Sequence, residues 1–253
     1  MPKSELGSNA TQLLIPQIPQ VVYTDSIDDT YPSLHYLTVE GKTTRQYFLV
    51  APDSYDPTTP LPILIGLHGI NGSPASFRDQ FLFGALASEY KYVGIFPLGW
   101  GDEVNSNPTW NAGSCCLSAM VANINDVEFI QAIIQEVKKN YFVDESRIWA
   151  VGFSAGGNLT VMTCLHGSEH TYPMDEKLDV KNSIPSFAIP VYPAYLVERG
   201  TEGPLLSDIT VKDTSPPLCL VHAADDPWTA SGSFLLAVEY KKHDIPCEVH
   251  VYA

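Results

Sequence analysis

The sequence predicts an α/β domain over residues 31–253, a mostly parallel central sheet flanked by helices on both faces. Three observations carry that expectation. Short, continuously apolar runs recur along the chain, as strands buried on both faces require. Helical segments lie between those runs. Strands that alternate with helices need crossover connections, and crossovers join parallel strands.

Residues 1–30 are polar and carry Pro16 and Pro19, which predicts an extended N-terminal arm. Apolar and aromatic residues at 34–39 and 45–50, with Glu40-Gly41-Lys42 between them, predict a β-hairpin. Runs at 63–67, 92–96, 147–153, 187–191, 218–222 and 247–252 read as the remaining strands. The clearest helix is 126–140, where Val127, Ile130, Ile134, Val137 and then Tyr141 fall on one face. Asn125 followed by Glu128 resembles a capping box at its start. Further helices are expected over 76–90, 155–166 and 231–243, and the chain shows no internal repeat.

Composition narrows the function classes. With 45% hydrophobic and 17% charged residues, the 253-residue chain has ample material for a core. Against 14 Lys and Arg stand 29 Asp and Glu, a formal charge of -15 that repels phosphate backbones and disfavours nucleic-acid binding. No stretch approaches the roughly 18 uninterrupted apolar residues of a membrane-spanning helix. Met1-Pro2-Lys3-Ser4-Glu5 opens no apolar signal-peptide core, so the expected compartment is open: extracellular if a leader was removed, otherwise cytoplasmic. Five cysteines cannot all pair within one chain, and no Cys-x-x-Cys or Cys/His spacing of a zinc site is present. Several buried or free thiols, and no metal, are therefore expected.

Gly152-Phe153-Ser154-Ala155-Gly156 matches Gly-x-Ser-x-Gly, with an apolar strand running in and a helix running out. That is the setting of a nucleophile elbow, a turn so sharp that only glycine fits against neighbouring backbone. Ser154 would stand at the C-terminal edge of the sheet, beside a helix N-terminus that favours developing negative charge. Acyl transfer also needs donors for an oxyanion. Leu67-His68-Gly69-Ile70-Asn71-Gly72 follows the first buried strand, which nominates the backbone amides of Ile70 and Ala155. His68 precedes that turn and reads as a structural hydrogen-bonding group. The triad acid should follow a later strand, and Asp225-Asp226-Pro227 after 218–222 suits it, with Asp226 preferred. Trp110 is a candidate wall for an aromatic or sugar-bearing ester, and Trp228 a weaker one.

Several stretches resemble known families. Residues 63–72, Asn107-Pro-Thr-Trp-Asn-Ala-Gly-Ser-Cys-Cys116, Asn125–Ile130 and 148–157 resemble the α/β-hydrolase branch of polyhydroxybutyrate depolymerases and feruloyl esterases. Val191-Tyr-Pro-Ala-Tyr-Leu196, the run from Pro216 to Pro227 and that from Pro246 to Ala253 are more similar to acetyl-xylan/feruloyl esterases and dienelactone hydrolases. The resemblance implies a serine carboxylesterase that works through an acyl-enzyme and needs no cofactor. Its implied substrates are short acyl or feruloyl esters of plant polysaccharide, or polyhydroxyalkanoate oligomers. It also supports Asp226 over Asp225. In the second branch a Gly-Gly-His-Gly-like loop bearing the catalytic histidine follows the last strand, whereas this sequence stops at Ala253. None of His35, His68, His166, His170, His222, His243 and His250 falls in such a loop. The expectation is therefore a fold truncated after its last strand, and a catalytically incomplete, ligand-binding relative stands as the rival from another class.

Overall fold

A computed structural model describes residues 34–39, 43–101, 107–113, 115–167 and 184–252. The expected N-terminal arm, the 40–42 turn and His170 lie outside these residues. Among the described residues eight strands form one sheet: β1 (Leu34–Val39), β2 (Thr43–Val50), β3 (Leu61–Leu67), β4 (Val93–Pro97), β5 (Val143–Phe153), β6 (Phe187–Val191), β7 (Leu218–Ala223) and β8 (Cys247–Tyr252). Their spatial order is β1-β2-β4-β3-β5-β6-β7-β8. The hairpin strands β1 and β2 join antiparallel at one edge, and every pairing from β4 through β3 to β8 is parallel. The mostly parallel sheet expected from the sequence is thus present.

The helices are α1 (Pro74–Gln80), α2 (Phe83–Tyr90), α3 (Leu117–Val121), α4 (Asp126–Asn140), α5 (Ala155–His166) and α6 (Ser231–Lys242). Because helices cover the middle of the sheet, β3 and β4 lose the in-out alternation of a half-buried strand. Ile63, Val93, Ile95 and Phe96 are all fully buried, each contributing about 1.5–3 kcal/mol of apolar burial. Helix α5 is apolar nearly all round and sits in the core through Leu159, Val161, Cys164 and Leu165. Among the described residues no helix is long and apolar enough to cross a membrane.

Helix α4 starts as its sequence predicts. Asn125 Oδ1 accepts from the Glu128 N–H at 3.0 Å, and Asn125 Nδ2 donates to the Glu128 carboxylate at 3.1 Å. Its first residue, Asp126, is buried and faces Arg45 of β2 with Nη1 2.6 Å from Oδ1. The guanidinium also lies 4.0 Å over the Phe129 ring and donates to the Leu98 carbonyl oxygen. Burial pushes the Asp126 carboxyl up against the pull of Arg45. This pair ties α4 to the hairpin end of the sheet.

One expectation needs correction. The segment 76–90 is two helices, because Leu82 adopts left-handed backbone at φ 56°. That break lets Phe77, Phe81 and Phe83 cluster, with ring centroids 5.1 and 5.7 Å from Phe77. Helix α3 was not expected; its single turn is too short to show periodicity. Of the cysteines, Cys164, Cys219 and Cys247 are free, as the expectation of several free thiols has it, and adjacent Cys115 and Cys116 form a disulfide.

Candidate active site

Ser154 sits between β5 and α5 at φ 57° and ψ -113°. Such backbone is costly for a residue with a side chain and persists only where its surroundings hold it. They do so here from three sides. The Ser154 N–H donates to Val191 O of β6 at 3.1 Å, and its carbonyl accepts from Asn158 N at 2.9 Å and Ala194 N at 3.4 Å. Asn158, fully buried, donates its side-chain amide to the Ala194 carbonyl at 2.6 Å. The flanking glycines are required by close approach. A Cβ on Gly152 would collide with the Gly156 carbonyl, and one on Gly156 with the Leu67 and His68 carbonyls.

The loop after β3 packs directly on this elbow, since a Cβ on Gly69 would lie 3.4 Å from the Ser154 Cβ. Two hydrogen bonds shape that loop, Gly72 N to Gly69 O at 3.0 Å and Asn71 N to Pro108 O at 3.0 Å. The N–H groups of Ile70 and Ala155 have no acceptor among the described residues. They are the two donors the sequence nominates.

His68 is locked beneath the loop. The Gly99 N–H donates to Nε2 at 2.9 Å, which places the ring proton on Nδ1, 2.6 Å from the Gly69 carbonyl. Burial depresses its pKa to about 4, with the Arg45 charge pushing the same way and the Gly69 bond opposing. Trp110 is also fully buried. Its ring packs 4.9 Å from His68, and its indole N–H donates to the His68 carbonyl at 2.7 Å. A side chain so enclosed supports the loop from inside.

Asp226 follows β7, and Ser154 follows β5 with only β6 between, so both lie at the C-terminal edge of the sheet. Asp226 is half-buried and its Oδ1 accepts from the Trp228 N–H at 2.7 Å, whereas Asp225 is exposed. His222, buried on β7, braces this turn: Nε2 lies 2.7 Å from the Trp228 carbonyl and Nδ1 3.0 Å from the Ser233 hydroxyl. The Trp228 ring meets Tyr195 at 4.3 Å, and the Arg199 guanidinium stands 5.1 Å above it. Tyr192, which the sequence reading did not single out, lies between the two ends. Its N–H donates to Val221 O and its ring meets Phe153 at 4.2 Å. Burial, then the Asp226 charge, raises its phenol pKa.

The other described histidines are engaged elsewhere. His35 stacks on Tyr47, His166 Nε2 meets the Asp208 carbonyl, His243 meets Asp213 and His250 meets Glu248. None of the described histidines hydrogen-bonds Ser154 or Asp226. A cavity of about 460 Å³ opens between the start of α4 and α5, lined by Asn111, Asp126, Met162, His166 and Asp208, and does not reach Ser154.

No family model matches the chain. Feruloyl esterase C of Emericella nidulans is 30% identical over 128 residues, which are 49% of this chain and 43% of that protein. A bifunctional acetylxylan esterase/xylanase of Neocallimastix patriciarum is 28% identical over 116 residues, 46% of this chain and 15% of that one. The chain therefore spans less than half the length of these curated relatives. Among solved structures, esterase 2 of Thermogutta terrifontis superposes with a TM-score of 0.65 at 18% identity, covering 88% of this chain and 83% of its own. An alpha/beta hydrolase from a Medee basin deep-sea metagenome superposes at 0.58 with 16% identity, covering 87% and 80%. The chain has the α/β-hydrolase fold.

Proposed function

We propose that this chain carries the nucleophile half of a serine carboxylic ester hydrolase. The observation that carries the reading is the strained Ser154 backbone at the β5–α5 junction, packed against the Gly69 loop, with the Ile70 and Ala155 N–H groups lacking acceptors among the described residues. In this reading Ser154 Oγ attacks the ester carbonyl carbon as its proton passes to a histidine imidazole oriented by Asp226. The Ile70 and Ala155 N–H groups hold the tetrahedral oxyanion. Collapse expels the alcohol, which takes the proton from the imidazolium, and leaves an acyl-Ser154. Water, deprotonated by the same imidazole, then releases the acid. No cofactor enters the cycle. This reading assigns the base to a histidine outside the described residues.

The names of the relatives favour feruloyl or acetyl esters of plant polysaccharide as substrates. A second reading, a hydrolase scaffold that binds a ligand without turnover, is favoured by the engagement of every described histidine elsewhere. Hydrolysis of p-nitrophenyl acetate by the chain and by its Ser154→Ala variant separates the two. Turnover by the parent that is lost in the variant supports the esterase. Background rates from both folded proteins support the scaffold.

A further inference from the structure

Strands β7 and β8 pair in parallel with Cys219 opposite Glu248 and Val221 opposite His250. Strand alternation puts Glu248 and His250 on one face, and their pairing puts Cys219 on that same face. The opposite face of this pair carries Leu218, Leu220 and His222 into the core. The outward face thus presents a thiol, a carboxylate and an imidazole together. Their donor atoms all lie within 4.8 Å of one another, and His250 Nε2 is 3.1 Å from Glu248 Oε2. Cys219 is half-buried and free, while Glu248 and His250 are exposed.

We propose that Cys219, Glu248 and His250 form a binding site for a borderline-soft divalent cation of the zinc class. Ligand bonds of 2.0–2.3 Å to a tetrahedral ion set its donors roughly 3.5 Å apart, which rotamer adjustments of two exposed side chains reach. A thiolate with an imidazole selects zinc-like ions over magnesium or calcium, which take oxygen donors. As the S–metal bond forms, the Cys219 proton leaves to solvent, and a water completes the fourth position. The ion would clamp β8, the last of the described strands in the sheet order, onto β7 at a point removed from Ser154. Spacing rules applied to the sequence find no zinc pattern because these ligands meet only across strands.

The test is a cobalt(II) titration of the full chain after metal stripping, followed by zinc displacement. The expected result is one cobalt per chain with a thiolate-to-cobalt charge-transfer band, abolished by zinc. Cys219→Ser should lose the band with an unchanged circular dichroism spectrum, and His250→Gln should weaken binding by about tenfold or more. Cys247→Ser, which alters the neighbouring free thiol, should keep the band. Zinc should raise the melting temperature of the parent but not of Cys219→Ser. The proposal is overturned if the parent shows no band, if the band survives in Cys219→Ser, or if it disappears in Cys247→Ser.

Discussion

Acidification should destabilise this protein through one buried ring. His68 is held neutral, with Nε2 accepting from Gly99 and its pKa depressed from 6.5 to about 4 by burial. In the unfolded chain the ring returns to its ordinary value, so between about pH 6.5 and pH 4 the unfolded state binds more protons. Stability therefore rises with pH across that window and is lost as pH falls through it. The shift from 6.5 to about 4, at 1.36 kcal/mol per unit, corresponds to about 3 kcal/mol by the lower end of the window. Set against the 5–15 kcal/mol typical of a whole domain, roughly, that is a large fraction. Urea unfolding at a series of pH values would measure it, with His68→Gln as the reference because its amide oxygen reaches the Nε2 position and can still accept from Gly99. The parent curve should fall more steeply than the variant curve on acidification. Parallel curves through the window would refute the reasoning.

Other substitutions probe the elbow and the buried ion pair. Gly156→Ala places a Cβ against the Leu67 carbonyl and should cost about 3 kcal/mol, read as a lowered melting temperature. Ser154→Gly frees the φ 57° position and should raise stability by about 1 kcal/mol while removing any esterase turnover; an unchanged or lower melting temperature would count against strain at that residue. Asp126→Ala leaves the Arg45 charge buried without its partner and should cost about 3–5 kcal/mol by denaturant titration, whereas an apolar replacement of both residues should cost far less.

The legible parts of the fold were those in which pattern and burial agree. Helix α4 has a cap, one apolar face and basic residues in its last turn, and its bounds follow from the sequence alone. Strands β3 and β4 announce themselves as continuous apolar runs because both their faces are covered. The break between α1 and α2 was not legible, since nothing local marks Leu82 for left-handed backbone; a tertiary cluster of phenylalanines accompanies it. In the site, the motif placed Ser154 at a strand-to-helix junction, and strand order brought Asp226 to the same edge. Composition could not say that Trp110 is enclosed, because a tryptophan that packs on His68 and one that walls a pocket are spelled alike. The bracing of the Asp226 turn by His222 and the meeting of Cys219 with His250 depend on contacts across the sheet, which local spacing does not encode.

The most direct test of the central claim is covalent trapping at Ser154. A fluorophosphonate probe is incubated with the folded chain and with Ser154→Ala, and the labelled peptide is mapped by mass spectrometry. The account predicts a phosphonylated Ser154 in the parent and no label in the variant. A label on another residue, or an unlabelled parent that is fully folded, would contradict it.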